Sequence, residues 1–117
     1  MKIRNLLIAC LMGIAVLGAA GVARAEDVRM FVRHEVSDYG AWRKVFDAFA
    51  PMQKKQGVVY KAVYQSTDDP NDVTVIHDFH SLEKAKAFAA SAELKAAMEK
   101  AGVKGAPQIW YTSKSIK

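Results

Sequence analysis

At 117 residues with one cysteine and a formal charge of +5, the chain has room for one domain and lacks the cysteines for a disulfide framework. Three of its basic residues, Lys2, Arg4 and Arg24, fall in the first 25 positions with no acid among them, so the remainder carries only +2. That balance argues against a nucleic-acid partner and against lasting attachment to an acidic membrane surface.

The chain opens with the short basic stretch Met1-Lys2-Ile3-Arg4, continues into an apolar run from Leu6 to Leu17, and reaches Ala23-Arg24-Ala25. Small residues at those last two alanine positions are what signal peptidase reads, so residues 1–25 are expected to be a cleaved secretory signal. Residues 26–117 are then a single domain, periplasmic or secreted. A membrane anchor would use the same stretch, but it is marginal against the roughly 20 apolar residues a bilayer needs. Leu7-Ile8-Ala9-Cys10 resembles a lipidation box, yet the apolar run ahead of Cys10 is too short for one. Cys10 reads as a small hydrophobe that leaves with the signal, and the mature chain has no cysteine.

Val28 to Val36 alternates Met30, Val32, His34 and Val36 with Arg29, Phe31, Arg33 and Glu35, the period of two of a strand. Ser37 or Asp38 can cap a helix whose apolar residues Tyr39, Trp42, Val45, Phe46 and Phe49 recur at three and four. Pro51 should kink or restart that helix before it stops at Gly57. Val58 to Ser66 and Val73 to His80 are two β-branched runs joined by the turn formers Thr67 to Asp72, a hairpin. Ser81 caps a second amphipathic helix, Ser91 can cap a continuation ending at Gly102, and Gln108 to Thr112 is the last strand.

The order βαββαβ with short connections predicts an α+β fold, a ferredoxin-like antiparallel sheet with the helices on one face. The other face is left bare. A chain this small gains by burying that face against a second copy, so the expectation is a homodimer pairing as a dimeric α/β barrel.

The string Arg33-His34-Glu35-Val36, Asp38-Tyr39, Trp42-Arg43 and Phe46-Asp47, followed by Asp68-Asp69-Pro70-Asn71, Asp78-Phe79 and Leu82-Glu83-Lys84-Ala85, is similar to small members of the dimeric α/β-barrel superfamily. That group includes antibiotic-biosynthesis monooxygenases and some polyketide cyclases. The resemblance spans nearly the whole mature chain and implies the fold and the dimer; it transfers no catalytic residue, because such folds host many chemistries. The Asn, Trp and His arrangement of the haem-degrading branch has no match here, and no cofactor is expected.

Two residues are candidates for proton transfer, His34 and Asp78. His34 sits in the apolar register of the first strand; its near-neutral pKa suits a general base, although a half-buried structural histidine is the plainer reading. Candidate ligand-binding residues are Arg33, Trp42, Tyr60, Tyr64, His77 and Tyr111. The tyrosines offer hydroxyls to a small aromatic ligand and are expected to line a cavity between subunits, with Arg33 and Asp78 on the face away from the helices. Trp42, Phe46 and Phe49 are most simply the buried stripe of their helix. His77 and His80 lie three apart on a strand and point to opposite faces, so no metal site is expected.

With no glycine-rich phosphate loop, no Ser/His/Asp set and no cysteine nucleophile, chemistry would be limited to acid–base and electrostatic means. Three readings stay open. The first is an exported small-molecule-binding barrel; the second, as the resemblance suggests, is a cofactor-independent monooxygenase or polyketide-cyclase-like enzyme; the third is a structural envelope protein. Export favours the first, because tailoring enzymes act where their substrates are made.

Overall fold

The computed structural model of the protein describes residues 27–114. The signal expected over residues 1–25, Cys10 included, lies outside the described residues. Eight elements follow in order: β1 (Val28–Val36), α1 (Tyr39–Ala48), α2 (Ala50–Lys55), β2 (Tyr60–Gln65), β3 (Asp72–Phe79), α3 (Leu82–Ala89), α4 (Ala92–Lys100) and β4 (Val103–Ser113). The sheet order is β2-β3-β1-β4, with every neighbouring pair antiparallel. This is the ferredoxin-like α+β architecture, each of its two crossover connections being a pair of short helices on the same face of the sheet. Among the described residues, no helix is long and apolar enough to cross a membrane.

Local chemistry sets the helix boundaries. Asp38 caps α1, its carboxylate accepting from the Ala41 N–H at 2.8 Å. Ser81 and Ser91 do the same for α3 and α4, from Lys84 and Leu94. Each such cap is worth about 1 kcal/mol. Pro51 falls in the first turn of α2, where its missing N–H costs nothing, so the helix restarts there instead of running on from α1. Gly57 then ends the layer at φ +104, a conformation open to glycine and strained for other residues.

The last strand begins five positions earlier than the expected Gln108, at Val103. Its register against β1 jumps from Arg33↔Gln108 to Glu35↔Lys104, so Gly105 to Pro107 form a bulge opposite His34. An edge strand accommodates that bulge and its proline, since one side of its backbone pairs with no other described strand.

Strand parity sorts the side chains cleanly. Val28, Met30, Val32, His34 and Val36 of β1, with Val73, Val75, His77 and Phe79 of β3, are buried beneath the helices. On the bare face a row Ala62, Ile76, Phe31 and Trp110 runs across all four strands. The covered core divides in two. One cluster gathers Met30, Phe79, Phe88 and Leu94; the other gathers Val36, Trp42, Phe46, Val73 and Ala101.

Candidate functional site

Between the two clusters lies a pocket roofed by α1, α2 and α4. Its floor is the cross-strand pair Val32 and Val75. His34 and His77 flank that pair at opposite ends, His34 facing Val73 and His77 facing Met30, which sets their backbones roughly 13 Å apart. The wall is aromatic because α1 and α2 carry Trp42, Phe46, Phe49 and Gln53 at intervals of four, three and four, one helical stripe. The Trp42 and Phe46 rings stack at 4.9 Å, and the His34 ring meets Trp42 edge-on at 5.8 Å. The empty space is about 430 Å³ including its mouth, of which only about 40 Å³ admits the centre of a water molecule. The enclosed part holds a few waters, and a flat ring, which takes about 150 Å³, would fit only by extending into the mouth or spreading the walls.

The polar groups of the pocket are few and incompletely paired. Among the described residues neither ring nitrogen of His34 has a partner, nor does Nδ1 of His77. His77 Nε2 lies 3.4 Å from the Gln53 side-chain nitrogen, and the Gln53 oxygen accepts from the Lys61 ammonium at 2.6 Å. That ammonium also sits 5.1 Å above the Phe46 ring centre, a cation–π contact. Loss of water on burial lowers both histidines from 6.5 to about 4, and the Lys61 charge adds to the effect at His77. Both imidazoles are therefore neutral at pH 7, and each presents one donor and one acceptor.

Of the residues singled out from the sequence, His34, His77 and Trp42 are brought together here. The others are not. Arg33 and Asp78 lie on the bare face, where Arg33 holds Asp72 at 2.6 and 3.0 Å and Arg29 holds Asp78 at 2.8 and 2.9 Å, both bidentate. Arg33 donation keeps the Asp72 carboxyl below its usual range. Tyr60 and Tyr64 are exposed on that same face, but Tyr111 is not with them; it pairs with Met30 and packs beneath the helices, where burial raises its hydroxyl. Within one chain His34 and Asp78 occupy opposite faces of the sheet. His80 is exposed at the end of β3 and bonds Asp27. Among the described residues no three His, Cys, Asp or Glu side chains converge as metal ligands.

Gln53 and Lys61 went unremarked in the sequence. Gln53 extends the stripe of Trp42, Phe46 and Phe49, and Lys61 occupies an inward position on β2 opposite His77. A lysine at an inward parity beside a histidine was the available signal.

No family model matches the chain, and no curated protein matches it. Solved structures do. A protein of Bordetella bronchiseptica assigned as an antibiotic biosynthesis monooxygenase superposes with a TM-score of 0.68 at 14% identity, over 78% of this chain and 99% of that one. SnoaB, a cofactor-independent oxygenase from Streptomyces nogalater, gives 0.65 at 15% identity over 80% and 97%. A Caulobacter crescentus protein, also assigned as an antibiotic biosynthesis monooxygenase, gives 0.63 at 20% identity over 78% and 92%. At such identities the likeness concerns the fold, and the chain has the ferredoxin-like fold of the antibiotic-biosynthesis-monooxygenase group that its sequence resembles.

Proposed function

We propose that the protein binds a small, flat, hydroxy- or oxo-substituted aromatic molecule in the pocket between sheet and helices. The observation that carries this reading is the set of three buried ring nitrogens without partners, on two histidines beside an aromatic wall. A buried polar atom left unpaired costs about 1–3 kcal/mol, and a ligand bearing one or two oxygens that turns these rings toward itself would recover that. Export of a mature chain beginning at Glu26 and pairing of two copies through the bare sheet face belong to the same proposal. The alanine motif at Ala23 to Ala25 supports the first, and the apolar row of Phe31, Ile76 and Trp110 supports the second.

Binding is preferred to turnover on acid–base grounds. A histidine held near 4 is a weak base for a phenol whose ordinary pKa is about 10, and general-base catalysis works best with matched groups. Cofactor-independent oxygenation is the second reading, favoured by the fold shared with SnoaB, and it needs a substrate that supplies its own electrons to dioxygen. Titration with acetophenone, followed by Trp42 emission in a Trp110→Phe background, tests the first reading. Saturable change is expected, and no response to mono- and bicyclic oxo- and hydroxyaromatics at millimolar concentration would overturn it. Oxygen uptake with dihydroxynaphthalenes, above the protein-free rate and lost in His34→Phe, would replace binding by the second reading.

A further inference from the structure

The three-residue chain Lys61, Gln53 and His77 has a direction that fixes where a proton sits. An ammonium can only donate, so the Gln53 oxygen faces Lys61 and accepts at 2.6 Å. The Gln53 amide nitrogen is thereby turned toward His77 Nε2, at 3.4 Å. An amide NH2 can only donate as well, so His77 Nε2 has to accept and its ring proton belongs on Nδ1. Nδ1 is buried and has no partner among the described residues. Gln53 and Lys61 also line a groove on the outer side, between α2 and β2, so the chain runs from the surface to the pocket.

We propose that Lys61 and Gln53 act as positioning residues that lock His77 in its Nδ1–H form, so that a ligand reaching this ring meets an N–H donor and is selected for an acceptor oxygen. Selection of a ligand rests on the binding reading above; the tautomer does not. The opposite end is not locked. Neither nitrogen of His34 is bonded to a described residue, so its ring can turn either a donor or an acceptor toward the ligand. Discrimination is therefore one-sided. A molecule with a carbonyl, ether or phenolate oxygen satisfies the His77 end, whereas one ending in a lone N–H donor leaves Nδ1–H unpaired there.

Long-range proton–nitrogen correlation spectra of protein labelled with 15N-histidine separate protonated from bare ring nitrogens and read this directly. At pH 7 the wild type is expected to show His77 protonated at Nδ1 and bare at Nε2. Gln53→Glu replaces the donor by a carboxylate that accepts from both Lys61 and His77, and the proton should move to Nε2. Lys61→Met frees the amide to turn, and His77 should become a mixture of the two forms; this milder variant serves if the glutamate does not fold. Affinity for acetophenone relative to indole should fall about tenfold in Gln53→Glu, the weight of one hydrogen bond. A wild-type His77 protonated at Nε2, or a ring indifferent to both substitutions, would overturn the lock whatever binds. If the tautomers behave as stated but neither acetophenone nor indole perturbs pocket resonances, the selection fails together with the binding reading, and the lock alone stands.

Discussion

Phe31 and Trp110 stack face to face on the bare side of the sheet, their ring centres 5.1 Å apart and their planes within 2°. Trp110 remains 43% exposed although Ile76 and Phe31 continue the same apolar row toward the sheet centre. Bidentate pairs border that row on both sides, Arg29 with Asp78 and Arg33 with Asp72, so it is an apolar strip with a charged, internally neutralised margin. Such a strip is matched by its own copy after a twofold rotation. Phe31→Glu is expected to convert a dimer into a monomer in light scattering and to lower the melting temperature in the same step, because association and folding are linked. A wild type that scatters as a monomer at micromolar concentration would remove the dimer.

Acid sensitivity should trace to the pocket. His34 and His77 have folded pKa values near 4 against 6.5 in the open chain, so between those limits the unfolded state binds more protons than the folded one. Their contribution is fully present above pH 6.5 and is lost as pH falls toward 4, on the order of a few kcal/mol for the pair. Urea unfolding across that range should show the fall, and a His34→Phe, His77→Phe double variant should flatten it. The Asp72 carboxyl, depressed by Arg33, yields at lower pH and is separable from this transition.

His34→Phe alone should trade function for stability. It removes two unpaired buried nitrogens and fills the same space with an apolar ring, so the melting temperature should rise or hold. Affinity for 4-hydroxyacetophenone, whose phenol group can take the His34 end while its carbonyl takes His77, should drop roughly tenfold, the loss of one hydrogen bond, with acetophenone itself little changed. A variant that melts lower and still binds as wild type would mean that the imidazole serves the fold.

The hairpin turn anchors the first helix. Asn71 accepts from the Tyr39 N–H through its side chain at 2.9 Å and from the Val36 N–H through its carbonyl at 2.8 Å. Asn71→Ala deletes only the first bond and should cost about 1–2 kcal/mol in chemical denaturation, while loosening the end of α1 that carries Trp42. Weaker acetophenone binding should accompany the loss.

The strands and caps were legible because their signals are local. Alternation along Val28 to Val36 gave the buried parity of His34, and Ser81, Ser91, Pro51 and Gly57 mark boundaries through their own backbone chemistry. The early start of β4 was hidden because a bulge at Gly105 to Pro107 breaks the alternation a strand is recognised by. The pocket was legible only in part. Trp42, His34 and His77 stand out as residue types, but their convergence depends on β1 lying beside β3 in one register, and Gln53 and Lys61 come from two further elements. Parity separates Tyr111 from Tyr60 and Tyr64, and that parity is set only once Tyr111 is paired with Met30.

Strand order also governs when the domain can come into being. β1 is interior to the sheet, yet one of its two neighbours is β4, at the far end of the chain: Val28 pairs with Ser113. Until Val103 to Ser113 have left the ribosome, β1 keeps an apolar edge with unmade hydrogen bonds, and the closing contact carries a loop entropy set by nearly all the residues between 28 and 113. Most of the nascent chain is thus held back from premature completion by its own topology, the state in which a polypeptide can still be threaded through a narrow pore.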